Sequence, residues 1–263
     1  MPKPDHNLKV DRPAARTVEV QLLAAKAIAV LAARQVPGEA RLAERLFMLS
    51  EAFAAADPED GKAAIDEVLG DGLPIDDVID HVLPATARLL GERWANDDLS
   101  FAVVSIASAR LQETVRMLRA RAGQRPSGDR GRALLIVPRT ETHTLGVIVA
   151  ADQLRRQGIS VDFAIAPHSR EVAARVRSGT FKLVGISAAG RRSLANVKEL
   201  VGTIRRGAPR YTFVAVGGPL VDSGLDVKRI TGADMATMNI CAAARRVGLL
   251  PDKAEPAQVS GGR

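Results

Sequence analysis

Ala133-Leu134-Leu135-Ile136-Val137-Pro138-Arg139-Thr140-Glu141-Thr142-His143-Thr144-Leu145-Gly146 is the stretch on which the reading of this chain turns. Its first five residues form an unbroken apolar run, the pattern of a strand buried on both faces of a parallel sheet. A polar loop with one histidine follows, then an amphipathic helical pattern that runs to Gln157 and is closed by Gly158. The same change of period repeats downstream. Ser160 to Ile165, Leu183 to Ser187 and Thr212 to Val216 read as strands, with a short one near Ala233 to Ala236. Ser169 to Ser178, Ser193 to Arg206, Asp222 to Ile230 and Asn239 to Val247 read as helices. Strand and helix in alternation predict a doubly wound, five-stranded parallel sheet of flavodoxin-like (Rossmann-like) order.

Upstream the period is helical throughout. Val18 to Arg34 and Glu39 to Ala56 carry apolar residues at helical spacing, among them Leu42, Leu46, Leu49 and Phe53. Asp57 is placed to cap a helix with Pro58 at its first position. Ile75, Val78, Ile79, Val82 and Leu83 form a further stripe, which Pro84 kinks or restarts on the way to Trp94. Ser100 caps a last helix whose stripe is Phe101, Val104, Ala107, Leu111, Val115 and Leu118. The expected class is therefore α+α/β, a helical bundle over 17–120 followed by the sheet domain over 132–250. A Gly-, Pro- and Arg-rich linker spans 121–131, and polar tails occupy 1–16 and 251–263.

The 263 residues allow two ordinary domains. Aromatics make up only 3% of the chain, so its core must be built from Ala, Leu, Val and Ile. One cysteine, Cys241, excludes an internal disulfide and fits a reducing cytoplasm. Met1 to Arg16 has no apolar core of a secretory signal, and Val18 to Ala33 contains Lys26 and is too short to span a bilayer. A soluble cytoplasmic protein without a membrane partner is expected. The net charge of +7 invites a nucleic-acid reading. Arginine pairs such as Arg155-Arg156, Arg191-Arg192, Arg205-Arg206 and Arg245-Arg246 read instead as scattered, solvated cations near helix ends. No helix-turn-helix, zinc finger or RNA-binding signature accompanies them, so direct DNA contact is expected to be weak or indirect.

In an open parallel sheet the ligand lies beyond the carboxyl ends of the strands, at the point where strand order reverses. The loops there read Pro138 to Gly146, then Ser187-Ala188-Ala189-Gly190, then Gly217-Gly218-Pro219. None is a G-x-G-x-x-G or a G-x-x-x-x-G-K-S/T, which argues against a nucleotide.

Together these loops resemble the cobalamin-binding domain, which carries D-x-H-x-x-G, S-x-L and G-G at the same places. Here the motifs are Glu141-x-His143-x-x-Gly146, Ser187-x-Ala189 and Gly217-Gly218. Gly91-Glu92-Arg93-Trp94-Ala95-Asn96-Asp97-Asp98-Leu99-Ser100 resembles the helical cap that precedes that domain in corrinoid proteins. The resemblance implies cobalamin as cofactor, with His143 as the lower axial cobalt ligand and Glu141 holding the other ring nitrogen. It implies that Ser187 hydrogen-bonds the displaced nucleotide tail and that Gly217 and Gly218 let it pass. Ala189, standing for leucine, widens the slot, and Trp94 lies over the upper corrin face. His81 reads as structural, His168 as a helix-start residue, His6 as inert and Cys241 as packing.

Methyltransferase carriers keep an acid after the histidine, where this chain has Thr144. The Glu141-to-Gly146 form looks more like the regulatory branch, and within it the PpaA/AerR-type antirepressors of photosynthesis genes. The photoreceptor repressors of that branch have W-x9-E-H, and the corresponding positions here are Val104 and Ser105. The resemblance thus implies a non-enzymatic, light- or redox-responsive regulator that acts through a PpsR/CrtJ-like repressor. A corrinoid carrier of a methyltransferase system, and a sensor using haem in the same fold, are the alternatives.

Overall fold

The computed structural model describes residues 39–123, 130–178 and 181–252. The helix expected over Val18 to Arg34, the N-terminal tail, the C-terminal tail from 253 onward and the middle of the linker lie outside those residues. The chain divides into two compact units, Met1–Thr114 and Val115–Arg263.

In the first unit, α1 (Glu39–Ala54) packs on α2 (Pro58–Gly70) and on the helix that ends at Ala95. Asp57 caps α2 as expected, accepting from the Glu59 N–H at 2.9 Å with Pro58 in the first turn. The stripe from Ile75 is not one regular helix. A short α3 (Ile75–Asp77) opens into a π turn at Val78–Val82 before α4 (Leu83–Ala95) begins. Pro84 explains it: its ring nitrogen carries no hydrogen to donate and its ring crowds the preceding turn, so the ladder widens there. Phe53, Ile65, Val78, Ile79, Leu83, Leu90 and Leu111 are buried, an aliphatic core with one aromatic. The last helix, α5 (Phe101–Arg121), starts at Ser100, whose Oγ accepts from the Val103 N–H at 3.3 Å. Arg110 on α5 donates to the carbonyls of Phe53 (3.1 Å) and Ala56 (3.0 Å), and also to that of Ala55. Carbonyls at the end of a helix lack partners of their own, and a cation suits the negative end of the dipole.

The first unit ends at Thr114, inside α5. Val115 and Leu118 are buried, and Arg119 bonds the buried Asp152 of the second unit, which Arg156 also holds.

The second unit is a five-stranded parallel sheet of order β2-β1-β3-β4-β5. Its elements are β1 (Arg132–Val137), α6 (Leu145–Arg156), β2 (Ser160–Ile165), α7 (Ser169–Ser178), β3 (Phe181–Ser187), α8 (Leu194–Gly207) and β4 (Phe213–Gly217). They are followed by α9 (Val227–Thr231), β5 (Met235–Ala236) and α10 (Ile240–Arg246). Alternate residues of each strand face opposite layers. Leu134, Ile136, Val184, Ile186, Val214 and Val216 pack under α7, α8 and α9, while Ala133, Leu135, Val137, Leu183 and Ala215 pack under α6 and α10. The helix expected over Asp222 to Ile230 is instead a 3₁₀ turn (Pro219–Asp222) and the short α9, parted at Gly224, whose φ is +75°. Strand order reverses between β1 and β3, so their carboxyl ends define the crevice in which ligands of such sheets bind. No helix among the described residues is long and apolar enough to cross a membrane.

Candidate functional site

The loop leaving β1 turns at once, with the Glu141 N–H donating to the Pro138 carbonyl at 3.0 Å. That turn brings the Glu141 side chain inward, where it is only 4% exposed, while the His143 side chain beyond it is 72% exposed. One carboxylate oxygen, Oε1, accepts from the N–H groups of Thr142 (3.0 Å) and His143 (3.1 Å) and meets the His143 Nδ1 in a short contact. The other, Oε2, accepts from the Ala189 N–H at 2.6 Å and the Ser193 hydroxyl at 3.3 Å. A single buried carboxylate thus ties the loop after β1 to the loop after β3.

Burial alone would push the Glu141 carboxyl up. The hydrogen bonds from the His143 ring and from the Ala189 and His143 N–H groups overcome it and hold the group at about 2. The same bond raises His143 above its ordinary value against the opposing effect of burial. The carboxylate is ionised at neutral pH and fixes the tautomer in which Nδ1 carries the proton. In the neutral ring Nε2 is then the lone-pair nitrogen, on an exposed side chain, which is what a metal ligand needs.

The other residues singled out from the sequence fall in two groups. Ser187 and Gly217 stand side by side in the β3–β4 register, and the Ala188 N–H donates to the Gly217 carbonyl at 2.9 Å. Ala189 takes part through its backbone, as a donor to Glu141. The glycine pair is explained by the chain itself. Gly218 has φ +91°, and a Cβ there would lie 2.5 Å from the Ala188 carbonyl oxygen; one at Gly217 would lie 3.1 Å from the Thr237 carbonyl oxygen. Gly146 and Gly190 differ, because a Cβ at either would meet nothing within 4 Å. They leave open space, Gly146 in the first turn of α6 and Gly190 in the loop after β3.

Trp94 belongs to the first unit, with its ring 6.0 Å from that of Phe101 and 47% exposed. His81 is half-buried in the π turn, and Cys241 is half-buried on α10. His168 does begin α7: its carbonyl accepts from the Glu171 and Val172 N–H groups, and its ring meets the Arg139 guanidinium at 2.6 Å. His6 lies outside the described residues. Ser193 went unnoticed in the sequence. A serine heading a helix reads as a cap, yet its hydroxyl is spent on a carboxylate 52 residues upstream.

Residues 131–238 match the B12 binding domain family. The fold is shared with the monomethylamine corrinoid protein of Methanosarcina barkeri, at a TM-score of 0.62 and 19% identity over 77% of this chain and 96% of that one. A Rhodobacter capsulatus protein, described as an uncharacterized 20.5 kDa protein in the bchF-crtJ intergenic region, is 32% identical over 177 residues, 66% of this chain and 92% of its own length. This chain belongs to the same family as that protein, a B12 binding domain preceded by a helical region.

Proposed function

We propose that this chain is a cobalamin-dependent, non-enzymatic regulator that relays the state of its cofactor to a partner repressor. The observation that carries the cofactor reading is the Glu141–His143 pair, a buried carboxylate holding Nδ1 of a ring that offers Nε2 outward. In that reading His143 is the lower cobalt ligand, Glu141 and Ser193 hold its orientation, and the space at Gly146 and Gly190 admits the macrocycle and its tail. Bound cobalamin would supply a coloured cobalt centre with an exchangeable, light-sensitive upper ligand. The regulatory part draws support from Thr144, which stands where carriers have an acid, and from the R. capsulatus relative, whose gene lies beside crtJ by its description. The partner in this reading is a PpsR/CrtJ-like repressor.

The test mixes the purified full chain with hydroxocobalamin or adenosylcobalamin, in darkness and then in light. A corrinoid spectrum that shifts in His143→Ala is expected, together with repressor binding in only one cofactor state. A Soret band in the purified protein would replace cobalamin with haem. Equal repressor binding in every state would remove the regulator, and methyl transfer to an acceptor protein would make the chain a corrinoid carrier.

A further inference from the structure

The positive charge of this chain is not scattered, as its arginine pairs suggested. Between Ser169 and Thr212 stand ten Lys and Arg residues against two carboxylates, Glu171 and Glu199, leaving 27 basic and 28 acidic residues in the rest of the chain. The excess that gives the protein its net +7 therefore sits in one segment, and half of it on the two helices α7 and α8. α7 and α8 pack side by side on the same face of the sheet. The groove between them is a cleft of about 270 Å³ lined by Ser169, Arg170, Ala173, Arg177, Thr203, Arg206 and Gly207. Beyond the end of α8 a second cleft of about 370 Å³ is lined by Ile204, Arg205, Ala208, Pro209, Arg210 and Thr212.

Both carboxylates of the segment are engaged, Glu171 by the His168 N–H and Glu199 by the Ser169 hydroxyl. From neighbouring elements, Asp234 holds Arg205, Asp226 holds Arg229 and Asp162 holds Arg132. Arg170, Arg177, Arg206 and Arg210 are all exposed. We propose that the α7–α8 face is a docking surface for the phosphate backbone of duplex nucleic acid, read without regard to sequence. The chemistry of the face selects that partner. Protein interfaces are built around an apolar centre and membrane-surface helices around an apolar wedge. Among the described residues from Ser169 to Thr212, Tyr211 is the one large apolar side chain left exposed. A single aromatic also gives single-stranded bases no stacking platform. Exposed arginines along shallow clefts suit phosphate oxygens, which guanidinium contacts in pairs. This surface is independent of the cofactor and adds a direct contact to a regulator otherwise acting through a partner.

The test is fluorescence anisotropy of the full chain on a labelled duplex of arbitrary sequence, titrated between about 50 and 200 mM salt, where each neutralised phosphate adds about 0.9 to the log–log slope. Arg170→Ala/Arg177→Ala/Arg206→Ala is expected to lower that slope by about 3 and to weaken binding at low salt by at least about tenfold. Arg245→Ala/Arg246→Ala on α10, on the other face, should leave both nearly unchanged. Thermal unfolding checks that the triple variant is folded, and Arg177→Glu/Arg210→Glu gives an independent second pair. No duplex binding at low salt overturns the proposal. So does an unchanged slope in both patch variants, or stronger competition by polyglutamate or anionic vesicles than by unlabelled duplex.

Discussion

Replacing Glu141 by Gln keeps the shape of the side chain and removes its charge, which isolates what the carboxylate does. In the native structure Oε1 faces three donors and Oε2 faces two. In the amide, one oxygen becomes an NH₂ group pointed at those donors, and buried donors left facing a donor are costly. The size follows from the titration. A carboxyl brought from 4.5 to about 2 favours the ionised folded form, and the difference corresponds to about 3 kcal/mol. The variant should lose about that much at pH 7, or about 6–12 °C in the unfolding temperature of a unit of this size. The sign with pH is fixed. A group lowered on folding stabilises above its unfolded value of 4.5, and that stability is lost as pH falls toward about 2. Urea unfolding followed by far-UV circular dichroism should therefore give a wild-type–variant gap of about 3 kcal/mol at pH 7, shrinking to about 1 kcal/mol at pH 3. A gap that stays constant over that range, or one below about 0.5 kcal/mol at pH 7, would refute the assignment of Glu141 as an ionised staple.

Other outcomes are expected from the same structure. Gly218→Ala forces a side chain into the left-handed region and onto the Ala188 carbonyl, and should destabilise the sheet unit by about 2–3 kcal/mol in urea titration. Arg110→Ala strips the end of α1 of its donors and should cost the helical unit about 2 kcal/mol, seen as a shift in its unfolding midpoint. Ser193→Ala removes one of five donors to Glu141, and should cost about 1 kcal/mol while leaving the His143 imidazole still raised in an NMR titration. His143 is raised on folding, so its contribution is present below its unfolded 6.5 and is lost as pH climbs through the folded value. Combined with Glu141, this places maximum stability of the cofactor-free protein between about 4.5 and 6.5, which a pH series of thermal melts checks.

The β/α alternation was legible because each strand is an apolar run bounded by polar loops, and burial on both faces leaves little else such a run can be. The Glu141–His143 contact was legible through the loop's resemblance to the cobalamin-binding motif, and residues two apart in one loop are close enough to meet. Ser193 was not, since its partner is a tertiary neighbour and nothing local separates it from a helix cap. The glycine pair was visible as a pair, but its cause was not: Gly218 answers the Ala188 carbonyl on the next strand's loop. Asp222 to Ile230 has helical composition, yet the freedom of Gly224 divides it. The charge excess was open to counting, but that α7 and α8 present much of it on one layer is a fact of packing.

The staple and the ring it holds answer to different demands. Glu141 is sealed inside and joins two crossings of the chain, so a drifting sequence cannot discard it without loosening the domain. His143 projects outward, and its removal leaves the carboxylate four other donors. A descendant that abandoned the cofactor would therefore shed the imidazole early and keep the acid long afterward. An acid stranded two positions before a missing histidine would be the fossil of a vanished sensor.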